Sequence, residues 1–255
     1  VIERTAFLTD VGQVRTHNED NGGIFTTDAG VLAVVADGMG GHAAGDVASR
    51  LMIETLDEAW QQIEAPLPAA EVEAWLTAQF SAANQTILDY AKAHPDCEGM
   101  GTTAIAAVCT NDYITIAHVG DSRAYVYRTE GLMQQTNDHS LVAELVRSGQ
   151  ISAEEADHHP RRHVILRALG TDTDVDVDCF TLTTDGVLLL LLCSDGLSNK
   201  VTQLELQEAL ERARTSHLSD IAAALIARAN ERGGEDNISL ALVRYEEREN
   251  TGDSS

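Results

Sequence analysis

The most apolar stretch of the chain is residues 187–193, Val187-Leu188-Leu189-Leu190-Leu191-Leu192-Cys193, in which no position is polar. A strand with one wet face alternates, so this one must be covered on both faces. Residues 31–36 read the same way and run into Asp37-Gly38-Met39-Gly40-Gly41-His42, a glycine-rich bend that leaves an acid at the strand end. From Asp46, placed as an N-cap, the period lengthens to that of a helix, with Val47, Leu51, Thr55, Leu56, Ala59 and Ile63 on one face. A second helix is predicted over 70–93, with Val72, Leu76, Phe80, Ala83, Ile87 and Tyr90 on one side. Shorter runs predict strands over 4–10, 23–27, 102–109, 113–119, 123–127, 132–136, 175–182 and 238–245, and helices over 202–214 and 218–232. Residues 137–170 lose this periodicity, apart from helical pieces near 140–148 and 152–157, and read as an inserted flap. Short turns such as Thr110-Asn111-Asp112 make the strands antiparallel. Double-sided burial with paired helices then predicts an α+β fold, a four-layer α/β/β/α sandwich of two antiparallel β-sheets flanked by helices.

Composition narrows the partners. The 255 residues contain no linker-like stretch, so one domain is expected over 1–245, followed by a polar, disordered tail over 246–255. With 41 acidic against 17 basic residues the net charge is -24, which repels a phosphate backbone or an anionic membrane; neither nucleic acid nor membrane is an expected partner. Cys97, Cys109, Cys179 and Cys193 have no paired spacing, and Cys109 and Cys193 lie in apolar strand patterns, which suits a reducing cytosol. The run 187–193 is far too short to span a bilayer and no basic-then-apolar leader opens the chain, so a soluble, cytoplasmic protein is expected.

The acids change the picture. Asp37, Asp121, Asp195 and Asp236 all stand beside strand ends, each with glycine or another small residue next to it, and Glu19 and Asp20 are a possible fifth and sixth member. Any one of them reads equally well as a turn residue. Gathered at one rim they would repel, unless hard divalent cations lie among them; an all-oxygen donor set favours Mg²⁺ or Mn²⁺ over Zn²⁺. Two such ions about 3.5–4 Å apart suit hydrolysis of a phosphoester. Arg15, near Glu19 and Asp20, is the candidate fork for phosphate, or else a surface arginine in an acidic loop. His42 is either a proton donor to the leaving alkoxide or a helix-entry residue.

Other patterns fare worse. Residues 38–43 match the loose dinucleotide motif, but the acid that fold needs about 20 residues on would fall inside a helix. The run 172–178 imitates a calcium loop, yet Val177 stands where glycine and Thr183 where glutamate belongs. The cluster His158-His159-Pro160-Arg161-Arg162-His163 lacks a cysteine or a helical pair for zinc. Cys193 lacks the arginine that closes a tyrosine-phosphatase loop, Asn199 standing in its place.

Arg15 with Asn18-Glu19-Asp20, Asp37-Gly38-Met39-Gly40-Gly41-His42, Gly101-Thr102-Thr103, His118-Val119-Gly120-Asp121-Ser122-Arg123, Asp138-His139-Ser140, Ser194-Asp195-Gly196-Leu197 and Asp236-Asn237-Ile238 together resemble the metal-dependent type 2C serine/threonine protein phosphatases in their compact bacterial form. The resemblance runs in order over about residues 4–245. It implies hydrolysis of phosphoserine and phosphothreonine in proteins by water or hydroxide bridging two Mn²⁺ or Mg²⁺ ions, with no covalent phosphoenzyme. Asp37, Asp195 and Asp236 would hold one ion, Asp37 and the Gly38 carbonyl the other, with Glu19 and Asp20 near their waters. Asp121 and Asp195 would hold a third, weaker ion, and Arg15 the substrate phosphate. The implied partners are the phosphorylated products of a Ser/Thr protein kinase, met by a monomer. Many eukaryotic members carry histidine directly after the Asp-Gly pair, where this chain has Met39, its nearest histidine being His42. A phosphatase of small phosphoesters and a non-catalytic phosphoprotein-binding module stay open beside this reading, although a module has no need of the complete acid set.

Overall fold

In the computed structural model, which describes residues 1–40 and 44–246, the strand over 187–193 is buried along its whole length. In chain order the elements begin β1 (Ile2–Asp10), β2 (Asp20–Thr27), β3 (Gly30–Met39), α1 (Ala44–Trp60), α2 (Ala69–Ala93), β4 (Gly101–Thr102), β5 (Ala104–Cys109) and β6 (Tyr113–Val119). They continue β7 (Arg123–Arg128), β8 (Gly131–Gln134), α3 (Leu141–Arg147), α4 (Ala153–Asp157), β9 (Asp178–Thr183), β10 (Val187–Cys193), α5 (Asp195–Ser198), α6 (Gln203–Ala213), α7 (Leu218–Glu231) and β11 (Ile238–Tyr245). One antiparallel sheet has the order β1-β11-β10-β7-β8, the other β2-β3-β5-β6-β9 with β4 paired to the end of β3.

The alternation of side chains explains why two strands are apolar throughout. On β3, Val31, Ala33 and Val35 pack between the sheets while Leu32, Val34 and Ala36 meet α1 and α2. On β10, Leu190 and Leu192 face the other sheet while Leu189, Leu191 and Cys193 meet the α6 and α7 layer. The result is the four-layer sandwich expected, with helices outside both sheets.

Several local expectations are corrected. Helix α1 begins at Ala44, so Asp46 lies within its first turn and is not an N-cap. Its buried face is Ala48, Ser49, Met52, Leu56 and Trp60, one position round from the stripe read off the sequence. Small Ala48 and Ser49 let the helix approach β3, and Trp60 Nε1 donates to the Phe25 carbonyl (3.1 Å). The expected strand over 102–109 is split at Thr103: β5 keeps β6 as its partner up to Ala104, whereas Thr102 exchanges both backbone bonds with Leu169. The strand expected over 175–182 starts only at Asp178, because its partner register ends at His118. Residues 137–170 hold α3 and α4, both capped by serine side chains (Ser140 and Ser152). The tail over 247–255 lies outside the described residues.

Candidate active site

Strand β3 does not end at Asp37 as the bend pattern suggested; it continues through Gly38 to Met39. By the period of two, Asp37 shares the inter-sheet side with Val31, Ala33 and Val35. Asp20, the first residue of β2, is its direct cross-strand partner, and like charges set opposite one another are destabilising. The Asp37 carbonyl accepts from Thr103 N–H (2.9 Å) and Thr102 Oγ1 (2.9 Å), so the backbone below this carboxylate is fixed. Gly38 is wedged against the Gly45 and Glu19 carbonyls, with no room for a Cβ, and its N–H donates to the Glu19 carbonyl (3.1 Å).

From the other sheet, β10 delivers Asp195 at the start of the short helix α5, and Asp236 stands two residues before β11. Asn237 locks this side. Its Oδ1 accepts from Glu19 N–H (2.8 Å), and its Nδ2 donates to the carbonyls of Val11 and His17 (both 2.9 Å). Ser194 Oγ donates to Asp20 Oδ2 (2.8 Å) while accepting from Ser239 N–H (3.0 Å), which joins the two sheets at the cleft floor. Asp121 enters from the link between β6 and β7.

The electrostatics are those of crowded acids. Burial, reinforced by the charges of Asp20, Asp195, Asp121 and Asp236, holds the Asp37 carboxyl well above the usual range. Burial also pushes Asp20 up to about 7, the Ser239 and Ser194 hydrogen bonds opposing it and the Asp195 and Asp236 charges adding to it. Asp121 is likewise raised to about 7, by burial first and by Asp195 and Asp138 next. Burial and the Asp236 charge raise Asp195. One oxygen each of Asp20, Asp121 and Asp195 is buried without a hydrogen-bond partner. Buried carboxylate oxygens left without hydrogen-bond partners in one cleft fit a hard divalent cation.

Six of the residues singled out in the sequence thus meet here: Asp20, Asp37, Gly38, Asp121, Asp195 and Asp236. Glu19 adjoins them through its backbone, and its carboxylate lies against Gly45 at the start of α1. Arg15 is at the rim, where it donates to Asp236 (Nη2 to Oδ2, 3.0 Å) and to the Glu235 carbonyl (3.4 Å). His42 lies outside the described residues. At the end of β3, Met39 lines a neighbouring cavity of about 350 Å³ with His163, Ile165, Leu166 and Arg167. A larger hollow of about 590 Å³, at Tyr127, Gln207 and Arg228, shares no residue with this cleft. The supporting roles of Ser194, Asn237, Ser239 and Thr103 escaped sequence reasoning, although Thr103, Ser194 and Asn237 stand in the motifs that carry the resemblance.

A two-sheet sandwich whose strand ends gather carboxylates in one cleft defines a class of fold and site. The chain belongs to the protein phosphatase 2C family, whose family model matches residues 12–240. It is 48% identical over 238 residues to the serine/threonine phosphatase stp of Listeria innocua, covering 93% of this chain and 94% of that protein. Its structure is similar to that of the serine/threonine phosphatase Stp1 of Staphylococcus aureus, with a TM-score of 0.90 and 37% identity over 97% of this chain and 96% of the other. A further similar structure is the catalytic domain of the phosphatase PstP in complex with two manganese ions, with a TM-score of 0.80, 36% identity, and 94% and 97% of the two chains covered.

Proposed function

We propose that this chain is a metal-dependent protein serine/threonine phosphatase that takes Mn²⁺ or Mg²⁺ in the carboxylate cleft. The observation that carries the reading is the convergence of Asp20, Asp37, Asp121, Asp195 and Asp236 with three buried carboxylate oxygens left unpaired. The names of its relatives and the two manganese ions of the PstP structure support it. Asp37, Asp195 and Asp236 would hold one ion, Asp37 and the Gly38 carbonyl a second, and Asp121 with Asp195 a weaker third, with Glu19 and Asp20 in the surrounding shell. When bound, a pair of such cations lowers the pKa of a water they share and neutralises charge on the phosphoryl oxygens.

The chain's own residues do the rest. Arg15, half-exposed at the rim, presents a guanidinium that matches two phosphate oxygens and cannot deprotonate. Its bond to Asp236 keeps it turned toward the cleft before substrate arrives. The β3 and β10 backbones hold the carboxylates rigid, so little reorganisation is needed at the moment of reaction. No thiolate competes as nucleophile, since burial pushes the thiols of Cys109 and Cys193 up to about 12.

The substrates would be phosphoproteins made by a Ser/Thr protein kinase and the working form a monomer, in the cytoplasm. Among the described residues no helix is long and apolar enough to cross a membrane, and Cys97, Cys109, Cys179 and Cys193 are free thiols. The test is turnover, in Mn²⁺, of a phosphothreonine peptide, a phosphotyrosine peptide and free phosphothreonine. Preference for the first by at least about 10-fold, or about 1.4 kcal/mol of transition-state binding, is expected. Equal rates on the free amino acid would overturn the protein-substrate reading.

A further inference from the structure

Asp121 is held by its neighbours in an unusual way. Gly120, at φ +108°, packs against Thr103 with no space for a side chain. Both of its backbone polar groups go to a single residue: its N–H donates to His139 Nδ1 (3.1 Å), and its carbonyl accepts from the His139 N–H (2.9 Å). On the other flank, Ser122 Oγ bonds Thr103 Oγ1 (3.0 Å) and Arg123 makes a bidentate pair with Asp138 (2.6–3.1 Å). Gly120 and Arg123, which bracket Asp121 and Ser122, are therefore tied to the consecutive residues His139 and Asp138 at the root of segment 137–170.

His139 is buried, its ring stacked on that of His118 (centroids 4.5 Å apart, 20° between planes). Because Nδ1 accepts from Gly120, the neutral ring carries its proton on Nε2, which faces Asp178 Oδ2 at 3.2 Å. The other Asp178 oxygen takes Arg167 Nη1 (2.9 Å), and the His139 carbonyl accepts from Leu166 N–H (2.7 Å). His118, His139 and Asp178 have ligand atoms within 4.8 Å of one another, a spacing that would suit a metal ion. A protonated Nε2 cannot ligate, however, and the Arg167 guanidinium already supplies the positive charge that Asp178 needs.

We infer that His139 is a positioning residue for Asp121: it fixes the Gly120 backbone so that the Asp121 carboxylate faces Asp37 and Asp195, and Asp178 fixes the tautomer that makes this clamp. The inference rests on the proposed role of Asp121 as ligand of the outer cation, and a ligand's supporting contacts commonly set its affinity as strongly as the ligand does.

The experiment is a calorimetric Mn²⁺ titration of the wild type, Asp121→Ala, His139→Leu and His139→Asn, each checked by thermal unfolding. Asp121→Ala is expected to lose the weakest site. His139→Leu is expected to weaken that site about 10–100-fold with the tighter sites unchanged, and His139→Asn, whose amide oxygen can accept from Gly120 N–H as Nδ1 does, to stay within about threefold of wild type. Should His139→Leu fail to fold, Asp178→Leu leaves His139 in place but removes its Nε2–H acceptor, together with the Arg167 pair, and is expected to weaken the outer site alone. Wild-type affinity there in the folded variant, or no rescue by His139→Asn, overturns the inference while the Asp121 reading stands. An Asp121→Ala protein that keeps every site overturns both.

Discussion

The inter-sheet core and the cleft rim are built by the same strands and obey opposite rules. Between the sheets, Val31, Ala33 and Val35 meet Leu190 and Leu192, all buried, and every contact there lowers the free energy of the folded chain. Two residues further along β3 and three beyond Leu192, Asp37 and Asp195 bring like charges together, and burial raises the pKa of both. The core can be repacked by any apolar set of equal volume. At the rim each carboxylate costs stability in the metal-free protein and has no substitute. The apolar slab thus holds in place a cluster that would otherwise separate.

That contrast can be broken in either direction. Asp37→Ala is expected to lower turnover of a phosphothreonine peptide by about 1000-fold, or about 4 kcal/mol of transition-state stabilisation, while raising the melting temperature of the metal-free protein. A rate near wild type would remove Asp37 from the site. Leu190→Ala should do the reverse, costing about 2–5 kcal/mol in denaturant unfolding and leaving the rate per folded molecule unchanged. Loss of activity without loss of stability would mean that core and rim are not separable. Arg15→Ala, at the exposed edge, is expected to raise KM for phosphopeptides about 10-fold with a smaller change in kcat, if the guanidinium holds substrate and transition state alike.

The smallest effect is in pH. The carboxyls of Asp20 and Asp121 rise from 3.8 to about 7 on folding, so between those values the folded chain holds protons that the unfolded chain has released. Their contribution to stability therefore falls as pH rises through that window and is flat above it. In chelator, the drop in melting temperature from pH 5.5 to 8 should be a few °C smaller in Asp121→Asn than in wild type. Equal drops would contradict the raised value at Asp121.

Much of this architecture could be read from the chain because its signals are local. An all-apolar run such as 187–193 has few folded contexts, and the stripe from Val72 to Ile87 is buried as the helical period requires. The acids at strand ends were likewise visible. What was hidden depends on tertiary register: that Asp20 stands directly opposite Asp37, that Arg15 pairs with a residue 221 positions away, and that Asn237 binds the loop before β2. The shift of the α1 face by one position came from the same source, since only the sheet beneath decides whether Val47 or Ala48 is the closer fit.

The central claim is that divalent cations turn this rim from a liability into a working site. Exhaustive chelation followed by Mn²⁺ titration, with melting temperature and phosphothreonine-peptide turnover read on the same samples, tests it most directly. The expected result is no turnover in chelator, recovery on adding Mn²⁺, and a melting temperature that rises together with the rate. Full activity in chelator, or binding of Mn²⁺ that leaves the melting temperature where it was, would contradict the account.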